Sequence, residues 1–70
     1  MNFTIVDTAG DILFVNSGNL FIHNDGRLIL VRPDMPNLPL ITDPAKAKLA
    51  MDKAIDVLAK GKSLLDIRKY

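Results

Sequence analysis

Few side chains in this sequence carry reactive chemistry, and their spacing limits what they can do. His23 is the single histidine, there is no cysteine, and all eight acidic residues are aspartates. An imidazole titrates near neutral pH, so His23 has the chemistry of a general base or a pH-sensitive contact. Either role needs a partner, and no Ser or Asp stands around it in the order of a hydrolytic triad. The plainer reading is a histidine at a core edge with one ring nitrogen satisfied. Asp7, Asp11 and Asp25 lack the alternation of acids around a central glycine that a calcium loop requires, and they read as turn formers. One imidazole and no thiolate leave no all-His or Cys-based metal centre. Gly10, Gly18 and Gly26 recur every eight residues, which matches neither a phosphate-cradling loop nor a dinucleotide fingerprint. The expectation is a protein without catalytic, metal or cofactor chemistry.

Charge is weak overall and uneven along the chain. The 70 residues carry a net +1. Residues 1–34 hold four Asp against two Arg, and residues 35–70 hold four Asp against seven Lys and Arg. Lys46, Lys48, Lys53, Lys60, Lys62, Arg68 and Lys69 form a candidate nucleic-acid stripe. Asp52 and Asp56 interleave with it, and aromatics are scarce apart from Tyr70, so nucleic-acid binding is kept as an alternative. No apolar run approaches the ~18–20 residues of a membrane span, and Met-Asn-Phe-Thr lacks the basic start of a signal peptide. A cytoplasmic protein with no membrane contact is expected.

The elements that position these residues start from a repeat. Thr8 to Val31 reads as one octad written three times: TAGDILFV, NSGNLFIH and NDGRLILV. Each has Gly third, one polar residue next, then a mostly apolar run. Such a period fits an antiparallel meander of about six strand residues and a two-residue loop. With Phe3 to Thr8 as a first strand, the spacing predicts strands near 3–8, 11–16, 19–24 and 27–32. Gly in the second loop position supplies the positive φ of a type I′ turn. Octads with Gly also build intertwined triple-stranded β-spikes, but three units followed by a capped helix fit hairpins better.

Two-residue loops fix register, and register sorts the side chains. Pairing Thr8 with Asp11, Asn16 with Asn19 and Asn24 with Arg27 puts Phe3, Ile5, Ile12, Phe14, Phe21, His23, Leu28 and Leu30 on one face. The other face carries Thr4, Val6, Leu13, Val15, Leu20, Ile22, Ile29 and Val31. All three phenylalanines then share the first face, and the second is almost purely aliphatic, where a monomer would be polar.

Arg32-Pro33 ends the meander, because Pro has no N–H to give a ladder. Residues 33–42 read as a stiff, Pro-rich crossing segment pinned by Met35, Leu38, Leu40 and Ile41. Asp43-Pro44 announces a helix, Asp43 as N-cap and Pro44 in the first turn, running from 44 to about 60 and stopping at Gly61. Ala47, Met51, Ala54, Ile55 and Leu58 form its apolar stripe, flanked by Ala50 and Val57. Leu49 falls on the charged side. Ser63-Leu64-Leu65-Asp66 resembles a capping box, so residues 64–69 are expected as a short last helix.

The expected fold is α+β: a four-stranded meander (1–32), the crossing segment (33–42), a covering helix (43–61) and a tail (62–70), all in a single domain. One helix of ~25 Å covers one face of such a sheet and leaves the other bare. At ~1.5–3 kcal/mol for each fully buried aliphatic side chain, a wet second face is unfavourable. A homodimer through Val6, Leu13, Val15, Leu20, Ile22, Ile29 and Val31 is therefore expected. The competing cover is the chain's own crossing segment and tail. The function class this implies is a small interaction module, an adaptor, regulator or inhibitor. Its partner surface would be Leu49, Lys53, Lys60, Leu64, Leu65, Arg68 and Tyr70. A small-ligand site at the dimer seam, near His23 and Asn16, is the remaining alternative.

Overall fold

The computed structural model describes residues 2–70, the Ser17 side chain aside, so the expected domain and meander are described without Met1. The chain is α+β, as expected, but its strands make two small sheets and not one meander. β1 (Asn2–Val6) and β2 (Ile12–Asn16) form an antiparallel hairpin. A 3-10 turn at Ser17–Asn19 leads into β3 (Leu20–Ile22), which pairs with β4 (Leu28–Leu30). β5 (Leu38–Ile41) adds to β4, α1 spans Pro44–Ala59, and β6 (Leu64–Asp66) closes the chain. The sheet orders are β2-β1-β6 and β3-β4-β5.

Three expectations change. The hairpin expected at Ser17-Gly18 does not form: Asn16 Oδ1 accepts the Gly18 N–H at 2.9 Å, and the turn hands the chain from one sheet to the other. The crossing segment is not purely a connector, since its second half is β5. The tail is a strand and not a helix. Ser63 O accepts from Thr4 N–H at 2.7 Å, and Val6 O accepts from Ile67 N–H at 2.9 Å, so β6 lies parallel to β1. Leu65 and Ile67 are thereby buried on one side, whereas the helix expected over 64–69 would turn residues i and i+2 to different sides.

The two hairpins that do form use three-residue loops. Asp7 O accepts from Gly10 N–H at 3.0 Å, Asp7 N–H donates to Asp11 O at 3.0 Å, and Gly10 has φ +86°. His23, Arg27 and Gly26 repeat the pattern at the second hairpin, with Gly26 at φ +91°. This is a type I turn closed by a left-handed residue, the usual three-residue hairpin. The extra loop residue shifts the pairing by one, to Phe3 with Val15 and Leu20 with Leu30. A one-residue shift turns every β2 side chain over. Val15 moves into the core, and Ile12 and Phe14 move out. The phenylalanines do not share a face: Phe3 is buried, Phe21 half-buried and Phe14 exposed.

The core joins the inner faces of both sheets to the helix. Phe3, Ile5, Val15 and Leu65 come from the first sheet, Leu28, Leu30 and Leu40 from the second, and Ala47, Ala50, Ala54 and Val57 from α1. Ala at three of the four helix positions lets α1 sit close on strands. Asp43 caps α1 by accepting Ala45 N–H at 2.9 Å. Gly61 N–H to Leu58 O and Lys62 N–H to Val57 O, both 3.0 Å, make the paired bonds of a Schellman stop. Ile55, expected in the apolar stripe, is exposed, because the buried stripe centres on Ala47, Ala50, Ala54 and Val57. Met35, expected to pin the crossing segment, is also exposed. There the loop closes through the Arg32 guanidinium, whose Nη2 donates to Pro36 O at 2.9 Å.

Candidate interaction surfaces

His23 sits where the second hairpin turns. Its Nδ1 lies 3.2 Å from Asp25 Oδ1 and 3.4 Å from the Asp25 amide nitrogen. Asp25 also accepts from the Arg27 backbone N–H at 3.1 Å and from Arg27 Nε at 2.6 Å. The Arg27 backbone N–H, followed by its guanidinium, holds the Asp25 carboxyl below its ordinary range. Each of these bonds spans two residues of one tight turn. The cluster is local turn chemistry with an exposed imidazole, and no group of three metal-binding side chains gathers among the described residues. Asn16, the other residue suggested for a ligand site, borders a shallow cleft of about 420 Å³ with Asn2, Thr4 and Phe14, and not His23.

The seven residues expected at a dimer interface do not share one face. Val15 and Ile29 are buried, and Leu13 and Leu20 pack half-buried on the core. Ile29 has Phe21 and Pro39 as its cross-strand neighbours, so the outer side of β4 is flanked by bulky groups from its own sheet. Val31 is half-buried, and Ile22 is exposed at the end of β3. Val6 alone of the seven belongs to the outer face of the first sheet, beside Ile12 and Asp66.

That outer face is the conspicuous apolar surface. Phe14 is 86% exposed, Ile12 63% and Leu64 57%. Register places Phe14, Thr4 and Leu64 in one row across β2, β1 and β6, with Ile12, Val6 and Asp66 in the next. A Phe at the centre of a strand with its ring in water is unusual unless something else meets it. The edge beside it is open as well. Asp7 with Asp11, Ile5 with Leu13 and Phe3 with Val15 are the hydrogen-bonded pairs, because such pairs alternate along an antiparallel ladder. Ile12, Phe14 and Asn16 therefore turn their N–H and C=O groups away from β1, and no strand pairs with them among the described residues.

Strand edges are normally guarded by charge, proline or shortness. β3 has three residues, β5 contains Pro39, and β6 has three residues between Lys62 and Arg68. β2 is five residues long and reads Ile-Leu-Phe-Val-Asn, without charge or proline. Sequence reasoning missed Ile12 and Phe14 as surface residues. The signal that places them there is Asp7 and Gly10 at the first and fourth positions of a type I turn, which sets the three-residue loop.

The residues expected to meet a partner divide differently. Leu49 is exposed on the charged side of α1, as its spacing predicts. Lys60 pairs with Asp56 at 3.1 Å, and Tyr70 is half-buried against the core, with Lys69 Nζ 5.4 Å from its ring. Leu65 is 1% exposed and can meet no partner. Lys53, Leu64 and Arg68 do come together, around a groove of about 520 Å³ that Val57, Lys62, Asp66 and Lys69 complete. Arg68 clasps Asp66 there, with Nη2 2.6 Å from Oδ2 and Nε 3.0 Å from Oδ1. Arg68's side chain, then its backbone N–H, pulls the Asp66 carboxyl down to about 2. No helix among the described residues is long and apolar enough to cross a membrane. No protein-family model, curated protein or solved structure matches the chain.

Proposed function

We propose that the protein is a small non-catalytic interaction module that acts as a homodimer. The contact surface is the free edge of β2 and the apolar outer face beside it, in place of the broader aliphatic face that the sequence suggested. The exposure of Phe14 at the middle of an unguarded five-residue edge carries the reading. Phe14 is the central residue of β2, so a two-fold axis beside it sets Phe14 against its own mate and Ile12 against Asn16 of the second copy. All three residues already present their backbone groups outward. Six new hydrogen bonds would form between two β2 strands, and the two Phe14 rings would lie side by side on one continuous six-stranded sheet, each covering part of the other. An isologous contact of this kind closes on itself at two copies.

A strand pair of this length lies at the small end of protein interfaces, where association is reversible and concentration-dependent. Light scattering is expected to give a mass rising from 7.7 kDa toward twice that value between micromolar and millimolar protein. Phe14→Lys is expected to stay folded, because it replaces an exposed side chain, and to remain a monomer throughout. Amide exchange supplies the second reading: Ile12 and Phe14 amides gain protection with concentration, whereas Leu13 and Val15 are protected at every concentration. A wild type that stays at monomer mass, with Ile12 and Phe14 amides exchanging freely, would defeat the proposal.

A further inference from the structure

The opposite edge of the same sheet has different chemistry. Flanking β6, Ser63 O accepts from Thr4 N–H and Ile67 N–H donates to Val6 O, and the alternation of a parallel ladder then turns Leu64 and Asp66 N–H and C=O outward. Leu64 and Asp66 also line the groove of about 520 Å³ that the α1 residues Lys53 and Val57 share. Four cations line it against one acid, and that acid is already held by Arg68. Among the described residues no carboxylate lies within ion-pair distance of Lys53, Lys62 or Lys69. The groove thus combines an unpaired strand edge, the apolar residues Val57 and Leu64 in its lining, and three uncompensated ammonium groups.

We infer that this groove binds an extended acidic peptide segment, which adds to β6 as a fourth strand of the sheet. The backbone groups of Leu64 and Asp66 supply the ladder, as in other modes of strand addition. Lys53, Lys62 and Lys69 select for carboxylates, and the same cations turn away neutral or basic strands. Charge complementarity identifies the occupant class, and the strand edge separates a peptide from a nucleic acid. A phosphodiester backbone has no N–H groups to match the outward carbonyls of Leu64 and Asp66. Base stacking would need exposed aromatic faces, and Tyr70, whose ring lies beside Lys69, is half-buried against the core. The site lies across the sheet from β2, so it does not rest on dimerisation.

The test uses the full chain in its Phe14→Lys form, which separates this site from self-association. Fluorescence anisotropy is read with a labelled peptide of alternating Val and Asp at low salt. The acidic peptide is expected to bind, to weaken as salt is raised, and to lose about tenfold or more in affinity with Lys53→Glu combined with Lys62→Glu. The same peptide N-methylated at alternate amides is expected not to bind, because it cannot complete the ladder. Absence of binding by the acidic peptide at low salt would overturn the inference. Equal binding by the N-methylated peptide would remove the strand-addition mode. Tighter binding by an oligothymidylate that displaces the peptide would assign the groove to nucleic acid instead.

Discussion

At the scale of single residues, Gly10 and Gly26 occupy matching turn positions but stand in different surroundings. Both have φ near +90°, where a Cβ is disfavoured by roughly 1–2 kcal/mol. A Cβ at Gly10 meets nothing within 4 Å, whereas one at Gly26 comes within 2.7 Å of Pro44 Cβ and 3.0 Å of Pro44 Cγ. The second hairpin is thus docked on the first turn of α1, against a ring that cannot swing aside. Gly10→Ala is expected to lower stability by about 1–2 kcal/mol, and Gly26→Ala by a further ~1–3 kcal/mol for the overlap. Urea unfolding of the two variants checks this, and equal losses would deny the docking. Asp66 gives a second expectation at this scale. Its carboxyl is held at about 2 against an ordinary 3.8. A depressed carboxylate adds stability that is fully present above 3.8 and is lost as the pH falls toward 2. Its NMR titration midpoint should move up toward 3.8 in Arg68→Gln, whose side chain carries no charge to hold it down. A midpoint unmoved by that change would mean that Arg68 does not hold the carboxylate.

At the scale of elements, β6 is the latch that makes the tail part of the core. Leu65 lies opposite Ile5 and is buried, while Leu64 lies opposite Thr4 and is exposed. Leu65→Ala is therefore expected to lower stability by about 2–4 kcal/mol, and Leu64→Ala to stay within about 0.5 kcal/mol when the protein is monomeric. Thermal unfolding at low concentration distinguishes them, and a similar loss for both would argue for the tail helix that the sequence suggested. That mistaken helix shows where the sequence was readable. Local chemistry was legible: Asp43-Pro44 and Gly61 mark both ends of α1, the run Phe3 to Thr8 marks β1, and the octad marks strands near β2 to β4. Non-local competition was not. Ser63 to Asp66 carries a cap-like pattern, but the open edge of β1, some sixty positions away in sequence, offers its apolar residues a ladder and a core together. The surface at Ile12 and Phe14 was lost through loop length alone. A Gly at the end of the loop, as in Ala9-Gly10, suits both two-residue and three-residue hairpins, and the choice between them decides which half of β2 meets water.

At the scale of the whole molecule, the two sheets and α1 share one core, and the chain is small for a domain that stands alone. A domain of this size buries only roughly 60% of its unfolded surface, so association is a direct way to add stability. That linkage gives a test independent of mass. If β2 pairs across a two-fold axis, the monomeric fraction falls as the inverse square root of total protein once the concentration is well above Kd. Apparent unfolding stability then rises by about 0.7 kcal/mol for each tenfold increase in concentration, half the full tenfold increment. For a domain of this length that is a Tm increase of roughly 3–6 °C per tenfold. Calorimetry across three decades of concentration should show this slope in the wild type and a flat line in Phe14→Lys. The acidic peptide should raise Tm in both forms, because its groove lies on β6 and not on β2. A Tm independent of concentration in the wild type would sink the dimer while leaving the β6 groove standing. A peptide effect confined to the wild type would overturn the β6 groove as a site of its own while leaving the dimer standing.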